Sequence, residues 1–135
     1  MNHRPYLSQL DVDAALKAAN DFAQINGFAV SIAIVDDGGH LLGFTRRDGC
    51  APISSYIAHE KARSAALGRR ESKGYEDMIN GGRQAYLSVP ILHGMLEGGV
   101  NIVNNGHTVG AIGVSGVKPN QDAEIAKAGI KALLD

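Results

Sequence analysis

With 135 residues, 44% hydrophobic and 20% charged, a net charge of −1 and a single cysteine, the chain is expected to form one domain around one core with no internal disulfide. That balance offers no basic surface for nucleic acid or anionic lipid, and no apolar run approaches the ~20 residues that span a bilayer, so neither is an expected partner. Cysteine usage and the lack of a secretory apolar segment point to a reducing, cytoplasmic setting.

Residues 1–10 lack periodicity and read as an N-terminal arm, and 11–135 as the single domain. From Asp11 a helix is predicted: Val12, Ala15, Leu16, Ala19, Phe22 and Ala23 share one 3.6-residue face, Asp11 can cap it and Asn26-Gly27 can end it. Phe28–Val35 is apolar and β-branched, and Asp36-Asp37-Gly38-Gly39 turns it into a second strand, His40–Arg47. A loop to Pro52 precedes a helix over Ile53–Leu67, stopped by Gly68, whose inner face of Ile57, Ala58, Ala62, Ala65 and Ala66 is nearly bare. A shorter helix is predicted over Ser72–Ile79 with Ser72 as its cap, closed by Gly81-Gly82, whereas Val89-Pro90 argues against a central strand in the stretch that follows.

Val100–Gly116 is the stretch to which the rest is referred. Asn105-Gly106 between β-branched runs signals a type I′ hairpin. The second arm carries Gly110, Gly113 and Gly116, so something must come close to its backbone: a helix, another subunit or a ligand. A last helix starts at Pro119, with Asp122 and Glu124 early and Lys127 and Lys131 late along its dipole. Hairpins interrupted by helices define an α+β fold, an antiparallel sheet with helices packed on it.

Several motifs fail on spacing. The glycines of Gly110–Gly116 do not open a βαβ unit, so they are no dinucleotide fingerprint. Ser115 in GVSGV is no nucleophile elbow, and His59-Glu60 lacks the i+4 histidine of a zinc helix because Arg63 stands there. His40, His59, His93 and His107 show no mutual ligand spacing, yet an iron porphyrin needs only one axial histidine. Arg46 and Asp48, with Arg47 between them, form either an anion clamp or a stapled loop. Lys61 either enters a pocket or snorkels, Cys50 is a soft ligand or an inert thiol, and the Ser115-Gly116 amides before Pro119 could receive an anion with Gly113 beneath them.

The ordered set Ser31–Leu42 (SIAIVDDGGHLL), Arg46-x-Asp48-Gly49, Lys61-Ala62-Arg63-x-Ala65-Ala66, Gly98-Gly99, Gly110–Gly116 and Pro119 with Asp122 and Ala126-x-Ala128-Gly129 resembles the GlcG/HbpS family. That family includes the C-terminal domain of PduO-type corrinoid adenosyltransferases. The resemblance implies a profilin-like α+β domain of about five antiparallel strands and homo-oligomers from dimer to octamer. It also implies binding of haem or a related tetrapyrrole such as a corrinoid, in an accessory role to cobalamin-dependent or oxidative enzymes of glycolate, diol or glycerol catabolism. Two positions depart from its pattern: Asn101 stands where proline is common, and Lys118 where a capping Ser or Thr is.

Three functions stay open at this level. One is haem binding through His40, His59, His93 or His107. Another is a small-carboxylate or phosphate site, binding or catalytic, built from Arg46, Asp48, Lys61, Gly113, Ser115 and Gly116. The third is a non-catalytic assembly module whose bare glycine face meets a neighbour. No dedicated group for haem degradation stands out, and whether the chain is an enzyme is left open.

Overall fold

Alternation along two central strands decides the architecture. In the computed structural model, which describes residues 1–133, strands β1 (Ser31–Asp36) and β2 (Leu41–Arg46) form one hairpin, and β3 (Gly99–Asn104) and β4 (His107–Ser115) form another. The hairpins join through β1 and β4, giving an antiparallel sheet in the order β2-β1-β4-β3. Among the described residues the sheet has four strands, not about five, because the apolar segment before β3 forms a 3₁₀ turn at Gln84–Ser88 and irregular chain. Pro90, which cannot donate to a ladder, lies in that segment.

Ile32 and Ile34 of β1 pair with Val114 and Ile112 of β4. All four are fully buried, and with the buried Val100 and Ile102 of β3 they lie beneath helices α1 (Gln9–Ile25) and α4 (Pro119–Lys131). Each such side chain contributes about 1.5–3 kcal/mol on burial. The opposite face presents Ala33, Val35 and Ala111 to Ala58, Ala62, Ala65 and Ala66 of α2 (Ile53–Gly68). The sheet is thus sandwiched between α1 and α4 on one side and α2 on the other.

The bare arm of β4 now has its neighbour. A Cβ added at Gly113 would collide with the carbonyl oxygen of Ala58 and the amide nitrogen of Ala62, so α2 itself fills the space. Gly113 pairs with Ala33 on one side and Gly99 on the other, a row of small residues across three strands on which α2 lies. The tip of this hairpin is as expected: Asn105 (φ 49°) and Gly106 (φ 78°) both adopt positive φ.

Helix ends differ from expectation in instructive ways. α1 begins two residues before Asp11, because Ser8 Oγ accepts from Asp11 N (3.1 Å) while Asp11 Oδ2 accepts from Ser8 N (2.8 Å), a reciprocal capping box. Leu7, just before it, packs on the core. α2 runs through Gly68 and turns at Arg69 (φ 56°); residue 68 is glycine because Tyr75 occupies the space a side chain there would need. Ser72 does not cap α3 (Lys73–Asn80); its hydroxyl instead accepts from Gly99 N (2.8 Å) and donates to Leu96 O. The Lys118 ammonium cannot accept at the start of α4, and the side chains behind it substitute, Gln121 Oε1 accepting from Lys118 N (3.2 Å) and Asp122 Oδ1 from Val117 N (3.2 Å).

Candidate functional site

Strand β2 pairs with β1 through a register shift between Ile34 and Val35, so that Leu41 lies opposite Val35 and Phe44 opposite Ala33. Ala33 and Val35 lie under α2, and paired residues share a face of the sheet, so the bulge brings Leu41 and Phe44 together on the α2 side. There they meet Ser55, Tyr56, His59 and Glu60 of α2 around an open cleft of about 280 Å³. Tyr56 and His59 are three residues apart and therefore neighbours on one helical face. Leu41, Phe44 and Tyr56 are exposed and form an apolar rim to this cleft.

His59 carries the notable atom. Its Nε2 is shielded from solvent and has no hydrogen-bond partner, an arrangement that leaves a desolvated ring nitrogen uncompensated. Glu60 Oε2, beside it in sequence, is likewise without a hydrogen bond, Arg63 lying 3.5 Å away as a charge contact only.

The other histidines lie elsewhere. His40 follows the β1–β2 turn, its Nδ1 3.1 Å from both oxygens of Asp36. Burial tends to raise the Asp36 carboxyl, but the amides of His40 and Gly38 and the His40 ring outweigh it and hold the carboxyl below its usual range. A carboxylate on Nδ1 is a common support for a metal-binding histidine, but the His40 side chain is 80% exposed. His93 is exposed beside Leu87, Met95 and Leu96 in a separate cleft of about 230 Å³, and His107 starts β4 at the far end of the sheet. No group of three or more His, Cys, Asp or Glu able to hold a metal ion occurs among the described residues.

The residues of the expected anion site are dispersed between core and surface. Lys61 is buried, its Nζ donating to Val114 O (2.9 Å) and to Asp122 Oδ2 (3.1 Å), with both ion-pair partners at most 5% exposed. Burial raises the Asp122 carboxyl above its ordinary range against the pull of Lys61. Gly113 is sealed under α2, and an added Cβ at Gly116 would strike Ala29 O. Ser115 is buried opposite Ser31, whose other neighbour is Arg46. Arg46 and Asp48 are exposed and form no ion pair with each other. Cys50 is absorbed into a small polar cluster, with Ser54 Oγ at 2.7 Å and Ser31 Oγ joined to Ser54 Oγ at 2.8 Å.

Two features escaped sequence reasoning. Asp122 read as a helix-dipole acid, and nothing local marks it as the partner of a lysine 61 positions away. The Phe44–Tyr56–His59 grouping depends on a bulge, though the Tyr56–His59 spacing alone was a usable signal.

Comparison with known proteins finds the same architecture. The chain belongs to the HbpS-like family: the family model described as haem degrading protein HbpS-like matches residues 7–131. It is 54% identical to protein GlcG of Escherichia coli (strain K12) over 115 residues, 85% of each chain. It superposes on a Streptomyces reticuli HbpS double mutant with a TM-score of 0.89 and 28% identity, covering 100% of this chain and 91% of that one. On the crystal structure of a PduOC:haem complex the TM-score is 0.84 with 27% identity and 95% of each chain covered.

Proposed function

We propose that this chain is a haem-binding accessory protein that takes the porphyrin against the β2–α2 cleft, with His59 as the iron ligand. The observation that carries this reading is the shielded His59 Nε2 without a partner beside an apolar, partly aromatic rim. Ligation would satisfy that nitrogen, after a swing of the ring into the cleft its side chain already lines, and Leu41, Phe44 and Tyr56 would cover part of the macrocycle and exclude water from it. Bound haem would supply an iron centre whose behaviour follows from its axial ligand and the polarity around it. The haem complex of the PduOC relative and the description of the family support the reading.

The finer parts belong to the same proposal: assembly into dimers up to octamers, a corrinoid as alternative tetrapyrrole, and service to an oxidative or cobalamin-dependent catabolic enzyme. They are supported by the resemblance and, for assembly, by the exposed Leu41, Phe44, Tyr56 and Ile53.

The test is a spectroscopic titration with hemin. A saturable Soret shift is expected, lost or moved in His59→Ala and retained in His40→Ala, His93→Ala and His107→Ala. A shift that survives His59→Ala unchanged and disappears in His40→Ala would move the ligand to the Asp36-supported ring, and no saturable shift would end the haem reading.

A further inference from the structure

The end of the sheet where Asp36 pairs with Gly110 gathers three chain reversals: the β1–β2 turn, the β3–β4 turn and the C-terminus of α2. Between them lies a polar cleft of about 300 Å³ bordered by Arg4, Arg69, Asn101, Val103, Gly106, His107 and Thr108. We infer that this cleft is an oxyanion-binding site for a compact carboxylate or phosphate compound, with the Arg4 and Arg69 guanidinium groups as its principal donors.

Both arginines are braced by a single residue. Asp37 holds Arg4 through its carboxylate, Oδ2 to Nη2 at 2.9 Å, and Arg69 through its backbone carbonyl, which accepts from Nη1 at 2.5 Å. Arg69 Nη1 also donates to Ala66 O at 2.8 Å. A guanidinium has five donor hydrogens in a planar fork, and these contacts leave the second amino group and Nε of Arg69 free to donate. Asn101 Nδ2 donates to Thr108 Oγ1 (3.1 Å), which occupies that hydroxyl as an acceptor and leaves its O–H to be donated into the cleft. Two positive groups against one carboxylate leave an excess positive charge in a space at the small end of ligand sites.

The backbone supplies an independent observation. Arg69 is, with Asn105, one of two non-glycine residues with positive φ among those described. Asparagine is at ease there and arginine is not, and the position just past a helix is one that glycine usually fills. A non-glycine residue held in this region is a pointer to function, and here it is the one that delivers a guanidinium to the cleft.

Calorimetric titration of the whole protein with inorganic phosphate and, separately, with malonate tests this. Saturable, salt-sensitive binding of at least one is expected, and the tighter of the two identifies the source of the oxyanion. Arg69→Gly, which suits the left-handed backbone and so preserves the fold, is expected to weaken binding about tenfold or more, as is Arg4→Gln on the separate N-terminal segment. His59→Ala should leave it unchanged. Absence of saturable binding for both anions, or binding indifferent to both arginine variants, overturns the inference.

Discussion

Lys61 shows how much a single side chain can be committed to structure while looking like chemistry. Its charge is buried with that of Asp122, and removing one member of such a pair leaves the other stranded in low dielectric. Lys61→Met is expected to cost about 3–5 kcal/mol in urea denaturation, with part recovered when Asp122→Asn is added, because the amide can still accept from Val117 N. The two unusual carboxyls should also leave opposite signatures in acid. Asp122 holds its proton more tightly folded than unfolded, so from the ordinary value of 3.8 up to its raised folded value its contribution to stability falls as pH rises. Asp36 is the reverse: its contribution is present above 3.8 and is lost as pH falls through its lowered folded value. Denaturation midpoints followed through the acid range should therefore lose the decline above 3.8 in Asp122→Asn, and the loss below it in Asp36→Asn.

At the scale of elements, Gly113→Ala is the decisive substitution, since the added methyl meets Ala58 and Ala62 backbone with nowhere to relax. A loss of about 1–3 kcal/mol or more in thermal or urea unfolding is expected, and a stability equal to the native chain would mean that α2 does not lie on this row. The faces of α1, α2 and β4 were legible because their spacing alone separates the alanines from the isoleucines: Ile112 and Val114 fall on one side, Ala111 and Gly113 on the other. That a helix, and not a neighbouring subunit, covers Gly113 needed the tertiary fold. Caps were less legible. Ser8 and Asp11 share the work of one terminus, and Ser72 serves a strand brought to it from 27 positions away, so neither local preference nor apolar periodicity identifies its partner. Of the candidate site, the sequence offered His59 only as one of four candidate histidines, and what separates it from the others is its surroundings, formed by a register shift no periodicity records.

For the molecule as a whole, the exposed cluster of Leu41, Phe44 and Tyr56 bordering the His59 cleft makes assembly measurable. Light scattering should give a mass of two or more chains, and Phe44→Glu should return it to one chain while sparing the circular dichroism of the fold. A native protein that scatters as a single chain, with and without hemin, would remove the assembly part of the proposal. No helix among the described residues is long and apolar enough to cross a membrane.

The pairing of β1 with β4 has a consequence for how the chain is born. Residues 31–36 can only complete their ladder with residues 110–115, which leave the ribosome last among the strands. At ordinary elongation speeds the β1–β2 ribbon waits roughly 4–15 s for its central partner. During that wait Ile32 and Ile34 have no sheet to join, and an isolated two-stranded ribbon is marginal in water. α1 is made before this interval and can shelter one face of the ribbon early, but α4 arrives only after β4. Nascent chains halted before Gly99 should accordingly be cut by protease at sites that the finished protein shields, making the vulnerable period of this small domain a matter of synthesis and not of its final stability.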